Sequence, residues 1–146
     1  MTLCQQIAAP VLLVLLTLCM QCGGVAAVVK WLRAVAAKDI RKLPTARAAV
    51  LVMQSTISVI LLQGCAILIW AGFYRWLCFS SWDSAFYFSA TSYSTVGYGD
   101  LVLPPKWRLL GPLESMMGVL MCGISVSLLF ALITRLVQTE IAAPST

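Results

Sequence analysis

Three uncharged apolar stretches, residues 7–29, 48–74 and 115–134, decide what this chain can be. A helix rises about 1.5 Å per residue, so about 20 such residues cover the roughly 30 Å hydrocarbon layer of a bilayer. Each stretch meets that length. Apolar residues make up 61% of the 146 and charged residues 10%, against about 25% charged in soluble domains. Too little polar surface remains to face water. An ordinary soluble enzyme, a disordered tail and a secreted disulfide scaffold are excluded, and an all-α membrane protein with three transmembrane helices is expected.

The first stretch lies near the N-terminus, where a signal peptide would lie, but residues 1–6 carry no basic residue. Residues 1–29 are therefore expected to form a retained helix. Lys30, Arg33, Lys38, Arg41, Lys42 and Arg47 hold six of the ten basic residues, with Asp39 as the single acid among them. Under the positive-inside rule this places 30–47 in the cytoplasm and the N-terminus outside it. No folded basic domain surrounds the segment, so the net charge of +5 does not point to nucleic acid. Trp31, Leu32, Val35, Ala36, Ile40 and Leu43 recur at near-helical spacing. Two readings stay open, a short interfacial helix and a plain charged connector. In either, anionic lipid is the expected partner of Lys30, Arg33, Lys38, Arg41 and Lys42.

Histidine is absent, which removes the commonest general base and metal ligand. Neither a catalytic group nor a cofactor is expected. Of the six cysteines, Cys19, Cys22, Cys65 and Cys122 lie within apolar stretches, where a thiol behaves as a small hydrophobe. Cys19 and Cys22 have redox or zinc spacing but lack the second pair a metal site needs. Cys4 and Cys78 both fall on the expected outer side, where they could pair.

The segment between Arg75 and Arg108 is apolar yet too short to cross and return as full helices. Ser80 followed by Asp83 resembles a helix start signal, and 84–94 reads as a helix of about three turns. Thr95-Val96-Gly97-Tyr98-Gly99-Asp100 cannot continue it, because alternate glycines favour unusual dihedrals. Leu103, Pro104 and Pro105 mark an exit loop, and Pro112 with Glu114 suits the first turn of a helix over 112–135. Glu114 is expected at the interface; the alternative is a buried functional acid. Non-helical backbone at membrane depth is tolerated only within protein or along a water-filled path. Residues 84–100 are therefore a re-entrant pore-loop candidate.

The hexapeptide resembles the signature of potassium channels, whose filter of four such loops is a known case. The resemblance covers 48–137, as outer helix 48–74, pore helix 84–94, filter 95–100 and inner helix 112–135. It implies a four-fold homotetramer that conducts K+ passively, with the ion held at Thr95, Val96, Gly97 and Tyr98. Gly97 and Gly99 let neighbouring carbonyls point the same way, and Thr95 adds its hydroxyl to the innermost ring. Asp100 matches the acid of the outer mouth. Phe86, Tyr87 and Phe88 stand where relatives pack aromatics around the filter tyrosine; filling the core is the equal alternative. Thr91 replaces the glutamate that some relatives pair with the aspartate, so inactivation through that pair is not implied. Gly123 and Gly118 stand where a hinge or a packing contact is needed.

No stretch carries the spaced arginines of a voltage sensor. Eleven residues follow Arg135, too few for a ligand-binding domain, and 138–146 reads as a short cytoplasmic tail. Helix 1–29 is additional to the two-helix module and is expected to pack on its outside. Likeness to prokaryotic channels implies a bacterial inner membrane. Two other classes compete. A small carrier calls for a membrane-embedded ionisable residue, and the charge-free stretches have none. A non-conducting accessory protein has no need of the Gly97 and Gly99 spacing.

Overall fold

The computed structural model describes residues 3–36 and 45–141. In chain order these form α1 (Leu3–Ala36), α2 (Thr45–Leu77), α3 (Trp82–Tyr93), a single 3-10 turn (Pro105–Trp107) and α4 (Leu110–Ile141). Three of the helices, α1, α2 and α4, are long and apolar enough to cross a membrane.

Each long helix outruns the apolar stretch that marks it. Helix α1 has 34 residues, about 51 Å of rise against the roughly 30 Å hydrocarbon layer. A charged side chain ends a hydrocarbon span, but it does not end a helix, because Lys and Arg are good helix formers. Residues 30–36, open between an interfacial helix and a connector, are thus the last turns of α1. Lys38, Arg41 and Lys42 lie outside the described residues, as does any pairing of Cys4 with Cys78.

Helix α3 has 12 residues, about 18 Å, and cannot span. Its cap is Ser81 and not Ser80. Ser81 is extended (φ −121°, ψ 149°), and its Oγ accepts the Ser84 N–H at 3.1 Å. Asp83 in the first turn complements the helix dipole. These details start the helix at Trp82, two residues before the expected position.

Hydrocarbon offers apolar side chains no reason to leave it, so membrane helices associate through close packing and hydrogen bonds. Helix α3 lies between α2 and α4, and α1 packs against both of those long helices. Trp70, Tyr74, Ala85, Leu103, Trp107 and Leu110 form the main buried cluster, which Leu13 of α1 joins. Edge-on ring pairs knit it together, Phe73 with Trp107 at 5.8 Å and Tyr74 with Phe88 at 5.0 Å. A second cluster of Ala66, Tyr93, Met117 and Met121 sits at the other end of α3. Gly24 brings α1 close to α2, where a Cβ would overlap the Leu62 side chain. Large apolar side chains such as Leu12, Leu61 and Phe130 face outward, a surface suited to lipid and not to water.

Candidate functional site

The site is the loop that follows α3. Helix α3 closes with Ser94 N–H on the Ala90 carbonyl (3.1 Å), Thr95 N–H on that of Ser92 (3.0 Å) and Gly97 N–H on that of Thr91 (3.0 Å). These bonds fold the first loop residues back onto the last helical turn. Beyond the turn, φ is positive at every second residue: 63° at Thr95, 51° at Gly97 and 77° at Gly99. In an ordinary extended segment, successive carbonyls point to opposite sides. Reversing the sign of φ at alternate residues breaks that pattern and lets neighbouring carbonyls share a side. Glycine adopts such angles freely, whereas a β-branched residue does so only at a cost of order 1–3 kcal/mol. Thr95 is therefore a strained position, held by the bonds at the end of α3.

The aromatic residues of α3 divide. Tyr87 stacks on Tyr98, ring centroids 6.4 Å apart and planes 11° from parallel. A hydrogen bond to the Asp100 carboxylate holds the Tyr87 phenol above its ordinary range. Phe88 turns the other way, into the core against Tyr74 and Phe79. Phe86 stays 46% exposed, Val96 52% and Tyr98 72%. Thr91 spends its hydroxyl on the carbonyls of Tyr87 and Phe88. Asp100 is exposed, and its Oδ1 accepts the Leu101 N–H at 3.1 Å.

Behind the loop, α3 is fastened to its neighbours at three levels. At the first, Tyr74 OH donates to Glu114 Oε2 (2.8 Å) and Ser89 Oγ to Glu114 Oε1 (2.5 Å). Glu114 has no exposed surface, so of the two readings offered for it the buried acid is the one the packing supports. Its partners come from α2 and α3, so no local pattern could announce them. At the second, Ser115 Oγ donates to the Ser92 carbonyl at 2.7 Å. One helical turn on, a Cβ at Gly118 would overlap the Tyr93 carbonyl oxygen. Gly118 is thus a packing contact that lets α4 come close to the end of α3, while nothing lies within 4 Å of a Cβ at Gly123.

At the third, Tyr93 OH donates to Gln63 Oε1 (2.5 Å), and Gln63 Nε2 donates to Ser125 Oγ (3.1 Å). Gln21 of α1 reaches the same Ser125 oxygen at 3.4 Å. The one sequence signal for this set was the presence of polar residues inside otherwise apolar helices. Among the described residues no cluster of His, Cys, Asp or Glu could hold a metal ion.

A family model described as "Ion channel" matches residues 56–135, which take in most of α2, all of α3 and the loop, and α4 as far as Arg135. No curated protein and no solved structure matches the chain. The match covers more than half of the sequence, and the three apolar helices supply the spans such a protein needs. The chain is an integral membrane protein of this ion channel family.

Proposed function

We propose that the protein is a potassium-selective channel, in which four copies surround a central axis and pass K+ passively down its gradient. The observation that carries this reading is the alternation of positive φ through Thr95-Val96-Gly97-Tyr98-Gly99. A dehydrated K+ needs a cage of oxygens, and four such loops supply successive rings of carbonyls at Thr95, Val96, Gly97 and Tyr98. The C-terminal end of α3 carries partial negative charge that favours a cation below the innermost ring. Asp100 at the outer mouth raises the local cation concentration. Phe86, Val96 and Tyr98 are exposed in one chain, beside a backbone that membrane depth does not tolerate uncovered. Neighbouring subunits give these groups the protein surroundings they need.

In this reading the N-terminus is outside and the C-terminus cytoplasmic, in a bacterial inner membrane. Anionic lipid contacts the basic residues Lys30, Arg33, Lys38, Arg41 and Lys42 at the inner surface. Gly123 is the preferred bending point of α4, since Ser127 Oγ bonds back to its carbonyl at 2.9 Å, a contact that loosens the helical ladder.

The test is cation flux from proteoliposomes. Uptake driven by a K+ gradient, blocked by Ba2+ and several-fold faster than Na+ uptake, is expected. Equal K+ and Na+ flux would remove selectivity from the proposal.

A further inference from the structure

The matched segment begins at Thr56, so α1 lies outside it and needs a role of its own. The third level of fastening behind the loop supplies one. Gln21 is 1% exposed in the middle of an apolar helix, a position that is costly for an amide unless it bonds. Its Nε2 reaches Ser125 Oγ on α4, while its Oε1 is buried and has no partner. A serine hydroxyl has two acceptor lone pairs, so the same oxygen also takes the Gln63 amide from α2. That bond aims Gln63 Oε1 at the phenol of Tyr93. The Tyr93 backbone is in turn wedged on Gly118, two residues before strained Thr95.

We infer that Gln21 is a positioning residue for the filter: the chain Gln21–Ser125–Gln63–Tyr93 wires the additional helix α1 to the base of the loop and thereby sets ion preference. Its members come from all four α-helices. A shift of α1 along α4 acts on the Gln21 contact first, because it is the bond of the three that α1 makes, and at 3.4 Å it is also the longest. The Ser125 hydroxyl, no longer shared, is then free to reorient; Gln63 keeps its bond to it and turns with it, which moves the acceptor that holds the Tyr93 ring. Thr95 relaxes toward an ordinary φ, and its carbonyl leaves the ring.

The inference rests on reading 95–99 as the filter, and its test separates the two. Full-length channel in liposomes of one composition is measured for its K+/Na+ permeability ratio as wild type, Gln21→Leu, Tyr93→Phe and the double variant. Leucine removes the unpartnered oxygen together with the long bond, so α1 keeps its packing. Losing one link is expected to lower the ratio about three- to ten-fold, the equivalent of a net hydrogen bond. The double variant should fall no further than Tyr93→Phe, because both act through one chain. Cys22→Ala, an exposed neighbour on α1, should leave the ratio unchanged. An unaltered ratio in Gln21→Leu, or additive losses in the double variant, overturns the inference.

A wild type without selectivity refutes the filter reading instead. Amide exchange at Gly97, whose N–H is held by the Thr91 carbonyl, then still decides on the wiring. Gln21→Leu should speed that exchange by a similar factor, and unchanged exchange refutes the coupling.

Discussion

Replacing Glu114 with alanine should be among the most damaging single changes outside the loop. The carboxyl accepts the Tyr74 hydroxyl at 2.8 Å and the Ser89 hydroxyl at 2.5 Å, with no exposed surface. Truncation leaves both donors facing a buried space. The Ser89 hydroxyl retains one alternative, the Ile67 carbonyl at 2.9 Å, whereas Tyr74 is given no second acceptor. An unmet buried donor costs about 1–3 kcal/mol, so Tyr74 alone sets a floor near that value. The deleted methylene and carboxyl add a cavity term of similar size. The expected loss is about 3–5 kcal/mol, a large share of the roughly 5–15 kcal/mol that holds a folded domain.

Glu114→Gln keeps the volume and one acceptor for Tyr74, and should cost about 1 kcal/mol. Denaturant titration of the detergent-solubilised protein, followed by tryptophan fluorescence, reads the difference, since Trp70 stands beside Tyr74 at 6.0 Å. Combining Glu114→Ala with Tyr74→Phe should recover part of the loss, because the unmet donor is then gone. If alanine and glutamine variants unfold within about 0.5 kcal/mol of each other, the cluster holds nothing together and the argument fails.

Other substitutions separate backbone from contact. Gly118→Ala forces a methyl into the Tyr93 carbonyl and should cost about 1–3 kcal/mol in the same titration; Gly24→Ala meets the Leu62 side chain, which can turn aside where a backbone carbonyl cannot, and should cost less. Gly97→Ala has open space around the new methyl at φ 51°, so its penalty is conformational, about 1–2 kcal/mol, and should show as lost K+ preference in flux with normal assembly. Ser81→Ala removes the cap of α3 and should destabilise by about 1 kcal/mol without altering selectivity. Asp100→Asn should lower K+ uptake at low ionic strength and matter less at high salt, where screening shortens the reach of the charge.

The features readable along the chain are those set by neighbours in sequence. Uninterrupted apolar residues announce α1, α2 and α4, since the cost of burying charge in lipid is paid residue by residue. Gly97 and Gly99 announce the loop, because backbone freedom belongs to the residue itself. The helix ends were less legible, as Lys30 and Arg33 close an apolar run without breaking a helical bond.

Tertiary structure alone decided where the isolated polar groups went. Glu114 looks interfacial from its sequence neighbours, yet Tyr74 and Ser89 enclose it from two other helices. Gln21, Gln63, Tyr93 and Ser125 are scattered over more than a hundred positions and meet in one chain of bonds. Gly118 is a contact because of where the Tyr93 carbonyl lands. In each case the partner is chosen by how helices pack against one another, and packing between distant segments leaves no periodic trace in the residues on either side.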